Sequence, residues 1–432
     1  MFKLNSNVGF IKNYQQLATN DRRKIALELI EAAFISIQPE EIFRQNFSLQ
    51  GNTLKIKDKV YELSTFEHVY ILGFGKGSAR NSLLIEKVLG ENLTGGYVID
   101  VTEEKFSKIE FTLGTHPLPS VANLEFTKKI IENLNHTGEK DLVIVVTCGG
   151  GSVMLESPHN LSLEDMVNIN RELLHCGASI QEMNAIRKHL DIVKGGGLAQ
   201  ILFPARVVNL IFSDVPGNDL SVIASGPTVK DSTTQQDAIN VIEKYGLGEK
   251  LGQIEKNFIE SPKEDRYFEN VDNVLILSND TALSAMQKKA SELGYKASIL
   301  TDSFQDEANL AGKQLVDATM RGSILLVGGE TDVKVTGGGV GGRNQQLVLA
   351  ALPYIDSNTT LVSFNSDGWD NSDAAGAMGD ADTIKKARDA GIDAGKFLSE
   401  NNSFTFFKAV GDAILTGRLP SNVSDLMVVV KT

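Results

Sequence analysis

The sequence predicts an α/β protein of two domains, a parallel-sheet domain over residues 1–268 and a smaller α/β domain over 269–432. Three observations predict it. The chain has 432 residues, more than one hydrophobic core comfortably serves, so it should divide. Short β-branched runs alternate with longer helical patterns along most of its length. That alternation lapses over 245–272, YGLGEKLGQIEKNFIESPKEDRYFENVD, a polar stretch that sets the boundary near 268.

The expected strands follow in order. VYILGFG (69–75), GYVIDV (96–101), LVIVVTCGGG (142–151) and VVNLIFSD (207–214) belong to the first domain. NVLILSND (273–280), KASIL (296–300), SILLVGGE (323–330) and TLVSFNSDG (360–368) belong to the second, and TGRLPSNVSDLMVVVKT closes on another strand. Continuous apolar runs of this length fit strands covered by helices on both faces, hence a parallel sheet. Helical stretches such as 121–134 and 281–293 lie between them. The opening residues have no signal-peptide h-region and soon become an amphipathic helix, within 1–35, able to pack on the other domain.

Bulk composition excludes several classes of protein. A 42% hydrophobic and 22% charged chain is ordinary for a globular fold. Its net charge of −13 argues against nucleic acid and anionic membrane as partners, since both need basic surface. No apolar run approaches the roughly 18 residues that span a bilayer. The two cysteines, Cys148 and Cys176, make no disulfide framework, and the six histidines show no ligand spacing. The expectation is a soluble cytoplasmic protein.

The expected strands end in small or polar residues: Gly75–Lys76, Gly149–Ser152, Ser213–Asp214, Asn279–Asp280, Gly329–Glu330 and Ser366–Asp367. Ligands of open α/β sheets bind outside the carboxyl ends of strands. Singly, such residues are turn formers and helix caps. Six of them on one edge point to a site.

Several constellations carry chemistry. ILGFGKGSARN (71–81) has glycines at 73, 75 and 77. It is an incomplete dinucleotide fingerprint, because Ser78 holds the third glycine position, while Asp100 ends the next strand where a ribose acceptor could lie. Lys76, in the glycine turn, suits a phosphate or carboxylate; the plainer alternative is a solvated turn lysine. TCGGGSVML (147–155) offers the backbone of Gly150 and Gly151 and the hydroxyl of Ser152 as an anion nest, or else glycines for close packing. In EMNAIRKHLDIVKGGGLA (182–199), Arg187, Asp191 and Lys194 share a helical face. A salt-bridged surface is expected for Asp191, ligand contact for Lys194, and packing for His189. FSDVPGNDLSVIASGPTVKD (212–231) supplies Asp214 and the turn from Ser225 to Thr228. FNSDGWDNSDAAGA (364–377) supplies Asp367, Asp370 and Asp373. Strand-end carboxylates suit Mg²⁺, and Asp373 is expected to cap a helix at AAGAM. GGETDVKVTGGGVGGRNQQL (328–347) sets seven glycines around Arg343. Something has to approach that backbone closely, and the guanidinium can give paired hydrogen bonds to a carboxylate or phosphoryl group. Cations, backbone cradles and strand-end aspartates are what phosphoryl transfer needs.

These residues resemble a known family. GFGKGS, THPLPS, CGGGSVML, EMNAIRKHLDIVKGGGLA, SDVPGNDLSVIASGPTV, GGETDVKV, GGRNQQLVLAA, SDGWDNSDAAGA and SFTFFKAVGDAILTG…SNVSDL follow in the order seen in type-2 glycerate kinases. The resemblance covers nearly the whole chain from about residue 20. It implies a Rossmann-like N-terminal domain, a MOFRL domain and a cleft between them, and ATP-dependent phosphorylation of D-glycerate at the 2-hydroxyl with Mg²⁺. Lys76 and Arg343 would grip substrate and phosphoryl group, and Asp214 would orient or deprotonate the hydroxyl or hold the metal, with Asp367 as a second metal ligand. Gly75, Gly77, Ser78, Gly150, Gly151, Ser152, Arg187, Lys194, Ser225, Thr228, Glu330, Asn344 and Asn422 would line the substrate or phosphate site. Other readings stay open: a kinase of another small sugar acid, an NAD(P)H-dependent hydroxypyruvate reductase resting on GFGKGS and Asp100, and a non-catalytic sensor of sugar phosphates. The partners expected are glycerate and a nucleotide, with a homodimer allowed.

Overall fold

A computed structural model describes residues 9–432; residues 1–8, the start of the expected N-terminal helix region, lie outside the described residues. The chain divides into two units. One comprises Phe43–Ser213 and Asn218–Ile276, and the other comprises the segment ending at Ile42, Asp214–Gly217 and Leu277–Thr432.

The first unit opens with an antiparallel sheet of β1 (Phe47–Gln50), β2 (Thr53–Ile56) and β3 (Lys59–Glu62). Leu54 and Ile56 point inward while Lys55 faces solvent, the alternation of a half-buried strand. These strands are too short to stand out as apolar runs. The main sheet then forms from β4 (His68–Phe74), β5 (Gly95–Asp100), β6 (Ile109–Leu113), β7 (Asp141–Thr147), β8 (Arg206–Phe212) and β9 (Val271–Leu277), in the order β6-β5-β4-β7-β8-β9. β4 pairs in parallel with both β5 and β7, so chain direction along the sheet reverses there. This is the Rossmann order, and the β4/β7 gap is its topological switch point. Leu72, Phe74, Val143 and Val145 are buried against Phe126 and Ile130 of the helix Val121–Leu134. Each such side chain contributes roughly 1.5–3 kcal/mol of transfer free energy.

β9 corrects the expected boundary. Its residues were assigned to the second domain, yet they form the sixth strand of the first sheet, with Val207 N–H donating to the Asn270 carbonyl at 2.9 Å. The polar stretch before it is a surface excursion within one unit, and the division falls after Ile276.

The second unit holds β10 (Ala297–Ile299), β11 (Ser323–Gly329), β12 (Thr359–Asn365), β13 (Gly376–Gly379), β14 (Ala413–Ile414) and β15 (Asp425–Lys431), in the order β10-β11-β15-β12-β13-β14. Only β10 and β11 pair in parallel; the other neighbours are antiparallel. The expectation of a parallel sheet fails here for a physical reason. Apolar runs report cover on both faces, and both faces are covered. Leu325, Val327, Met427 and Val429 join Leu347 and Val348 in one core, while Phe364 on the opposite face meets Phe34 with ring centroids 5.2 Å apart. Strand direction leaves no mark on such a pattern.

Phe34 lies on the helix Asp21–Ser36, which starts where the Asn20 side chain accepts from Arg23 N–H at 3.0 Å. Arg23 is fully buried and pairs with Asp380 and Asp412 at 2.7 Å each. Losing such a partner typically costs about 3–5 kcal/mol. The N-terminal helix is thus part of the unit built from the C-terminal half of the chain.

Candidate active site

At the switch point the turns after β4 and β7 lock together. Cys148 N–H donates to the Phe74 carbonyl at 3.0 Å, and Lys76 N–H donates to the Gly149 carbonyl at 2.8 Å. Gly75 has φ +99°, and a Cβ there would lie 2.4 Å from the Cys148 carbonyl oxygen. Gly150 has φ +78°, and its Cβ would lie 2.7 Å from the His116 ring. Only glycine fits either position. The consequence is a crossing of two bare turns, from which the Lys76 side chain projects into solvent. Burial, and then the Lys76 charge, hold the His116 imidazole below its usual pKa, so this neighbour of the ammonium is neutral near pH 7.

Asp100 does something other than meet a ribose. Its Oδ2 accepts from Gly77 and Ala79 N–H at 2.9 Å each, and its Oδ1 accepts from Val101 N–H at 2.6 Å. The carboxylate caps the helix Ser78–Leu89, occupying the N-terminus where a dinucleotide fold binds pyrophosphate. Ser78 is buried too, its hydroxyl donating to the Ile99 carbonyl at 3.0 Å. Neither side chain is placed to bind a ligand.

The turn after β7 continues into a single helical turn, Gly151–Met154. Ser152 there lies 2.9 Å from the Ser225 hydroxyl, which donates to Asn184 Oδ1 at 3.1 Å. Ser225 sits in an unusual backbone: Ala224, Ser225 and Gly226 have φ of 50°, 61° and 59°. Successive left-handed residues cost of order 1–2 kcal/mol each for non-glycine, and persist only where neighbours over-determine them. The KGGG segment does this. Gly195 N–H donates to the Ser225 carbonyl at 2.9 Å, and Gly196 N–H to the Gly226 carbonyl at 2.8 Å.

Lys194 therefore needs reassignment. It is 2% exposed and pairs with Asp191 at 2.7 Å and Glu156 at 3.5 Å, so its ammonium anchors the clamp instead of reaching a phosphate. Asp191 is salt-bridged as expected, but in the interior, where it also accepts from Ser157 N–H at 2.8 Å. Thr228 is likewise internal, bonded to Asn209 and Asn273 at 2.8 and 2.6 Å. His189 is buried, its Nδ1 2.8 Å from the Ile259 carbonyl, in the packing role expected of it. Arg187 bonds Asn170 at 2.9 Å, and burial lowers its pKa.

In the second unit Arg343 opens the helix Arg343–Ala351. Its Nε and Nη2 bond Asp425 at 2.5 and 3.1 Å, and its Nη1 bonds Glu330 at 2.6 Å. The paired hydrogen bonds expected for a ligand are thus made to Asp425. Three of five guanidinium N–H groups are engaged and two remain. Asn344 joins Asp425 to Asp370 at 2.8 and 3.2 Å, and Asp370 accepts from the N–H groups of Asn344 and Gln345 as the helix cap. The surrounding glycines answer to the chain itself. A Cβ on Gly342 would meet Asp370 Oδ1 at 2.1 Å, and one on Gly339 would meet the Asn402 Cβ at 2.4 Å. Arg343 also lines a cavity of ≈ 880 Å³ with Glu330, Asp306, Glu307 and Asp332.

Asn422 accepts from Ser424 N–H at 2.9 Å and from Ser366 at 3.3 Å. Asp367 accepts from Trp369 N–H at 2.9 Å, and Asp214 follows β8, partly buried. Asp373 caps no helix: it is exposed, and strand β13 follows. Among the described residues no group of three or more histidine, cysteine or acidic side chains could hold a metal. A Mg²⁺ held by one or two carboxylates plus waters and phosphates needs no such group. The sequence reading missed His116, Asn184 and Asp425 as parts of these clusters, and it read Asp370 as a strand-end carboxylate instead of a helix cap. All four fall within or beside motifs that carried the resemblance.

Fold and site define a class: a two-unit α/β protein whose Rossmann-ordered sheet presents a lysine on crossed glycine turns in place of a free dinucleotide cradle. The comparisons agree on the family. The model of DUF4147, a domain of unknown function, matches residues 25–260, and that of the MOFRL family matches 323–425. Glycerate 2-kinase of Pyrococcus horikoshii is 35% identical over 95% of this chain and 98% of its own. D-glycerate 2-kinase of Thermotoga maritima is 33% identical over 94% and 97%. The crystal structure of a Thermotoga maritima glycerate kinase matches with a TM-score of 0.83 and 31% identity, covering 95% of this chain and 99% of that one. The chain belongs to the type-2 glycerate kinase family, with DUF4147 followed by MOFRL.

Proposed function

We propose that this protein transfers the γ-phosphoryl group of ATP to the 2-hydroxyl of D-glycerate, giving 2-phosphoglycerate and ADP. The observation that carries the reading is the exposed Lys76 on crossed glycine turns at the switch point, a mobile point charge where anionic ligands of this fold collect. In the reaction an O–P bond forms at the 2-hydroxyl and the bond to the β-phosphate oxygen breaks. Lys76 is assigned to the negative oxygens of the phosphoryl group, Asp214 to the hydroxyl proton, and the two remaining N–H groups of Arg343 to an anionic substrate oxygen. Asp425 and Glu330 hold that guanidinium in one orientation. Mg²⁺, when bound, neutralises phosphate charge, and Asp214 and Asp367 are the carboxylates assigned to it.

The capped helix at Asp100 is the reason to set the reductase reading aside, since the acid a dinucleotide needs is already hydrogen-bonded to backbone. The acidic net charge supports a protein that binds neither nucleic acid nor anionic membrane, and among the described residues no helix is long and apolar enough to cross a membrane. A cytoplasmic location and a homodimer complete the proposal. The experiment is ADP release on mixing the protein with ATP, Mg²⁺ and D-glycerate. The reading requires release that depends on D-glycerate and is lost in Lys76→Ala; NADH oxidation with hydroxypyruvate and no ADP would reject it.

A further inference from the structure

Ser152, Ser225 and Asn184 form a chain of hydrogen bonds whose proton directions are determined by chemistry. Asn184 Oδ1 only accepts, so the single hydroxyl hydrogen of Ser225 goes to it, at 3.1 Å. The Asn184 amide nitrogen faces the Val222 carbonyl at 3.5 Å, consistent with that orientation of the amide. Ser225 therefore accepts at its 2.9 Å contact, and Ser152 must donate. The Ser152 hydrogen is thereby committed inward, and its oxygen is left with lone pairs. Ser225 is fully buried, whereas Ser152 is half-buried beside Gly150 and Gly151.

A hydroxyl held in this state repels the acceptor oxygens of a phosphate or carboxylate and welcomes a hydrogen-bond donor. We infer that Ser152 reads a hydroxyl of the substrate, and that this hydroxyl is the one that is not phosphorylated. The nucleophilic hydroxyl has to give its proton to a base, which a neutral serine oxygen is not. The reacting 2-hydroxyl is thus excluded, leaving the 3-hydroxyl of a 2,3-dihydroxy acid. This rests on the glycerate reading and deepens it: Ser152 is a specificity-determining residue that separates 2,3-dihydroxy acids from 2-hydroxy acids lacking the second hydroxyl. Ser225 and Asn184 are positioning residues that act through it. The strained Ala224–Ser225–Gly226 backbone, clamped by Gly195 and Gly196, keeps the acceptor at the required place.

The test is calorimetric binding of D-glycerate and of D-lactate, which lacks only the 3-hydroxyl, to the full chain. Glycerate should bind wild type about tenfold more tightly than lactate, the yield of one neutral hydrogen bond. Ser152→Ala should weaken glycerate about tenfold and leave lactate unchanged, while Ser152→Thr, which keeps the oxygen, should retain most of the selectivity. Ser225→Ala frees the Ser152 hydrogen and should lower the ratio. Equal binding of the two acids by wild type, binding of neither, or equal weakening of both in Ser152→Ala would overturn the inference. Binding does not require turnover, so selectivity without ADP release would remove the kinase reading and leave only the contact of Ser152 with the 3-hydroxyl standing.

Discussion

Asp425 holds Arg343 by two of its guanidinium nitrogens, Nε at 2.5 Å and Nη2 at 3.1 Å, from a carboxylate with no exposed surface. Burial pushes the Asp425 pKa up to about 7, while the Arg343 charge pulls it down. In the unfolded chain an aspartate titrates near ~3.9. The folded form thus binds the proton more tightly, so stability is greatest below the unfolded pKa and falls as pH rises to the folded one. The stability contributed by this group should therefore fall as pH rises from about 4 towards 7. Denaturant titrations across that window should show wild type losing stability relative to Asp425→Asn as pH rises; parallel curves would contradict the assignment.

Lys76→Ala should lower kcat/KM by about 10²–10³-fold, the usual effect of removing one charge-stabilising group. The thermal midpoint should stay unchanged, because the side chain is exposed. The same substitution removes a positive neighbour of His116, so the His116 pKa should rise towards the ordinary histidine value. NMR titration of the His116 ring reads that shift. An unmoved His116 would show that the ammonium lies elsewhere.

Two glycine substitutions separate backbone strain from close packing. Gly51 has φ +59° and open space around its missing Cβ, whereas Gly75 has φ +99° and the Cys148 carbonyl 2.4 Å away. Gly51→Ala should destabilise by about 1 kcal/mol from conformation alone. Gly75→Ala should cost ~3 kcal/mol or more and disturb both turns. Urea denaturation compares them, and equal losses would mean the turns do not interlock.

Much of the fold was legible because buried strands are continuous apolar runs, and the nine expected strands correspond to β4, β5, β7–β12 and β15. What the runs could not carry was direction. β11, β12 and β15 are as apolar as β4 and β7, yet they pair antiparallel. Burial was equally hidden for charged residues. Lys194 reads like a ligand because it precedes three glycines, and only the fold reveals Asp191 and Glu156 closing around it. The glycines near Arg343 announced a close approach correctly, but the approaching groups are Asp370 and Asn402 of the same chain. The exposed turn that carries Lys76 was legible because its pattern is local, two glycines with a strand before and a helix after, whereas its crossing with the turn at Gly149 was not.

Phosphoryl transfer to the 2-hydroxyl of D-glycerate leaves its signature on the phosphorus of the product. Phosphorus NMR of the product formed from ATP, Mg²⁺ and D-glycerate tests it most directly. The phosphorus should couple to the single hydrogen on C2, as in 2-phosphoglycerate. Coupling to the two C3 hydrogens, or no phosphorylated acid at all, would contradict it.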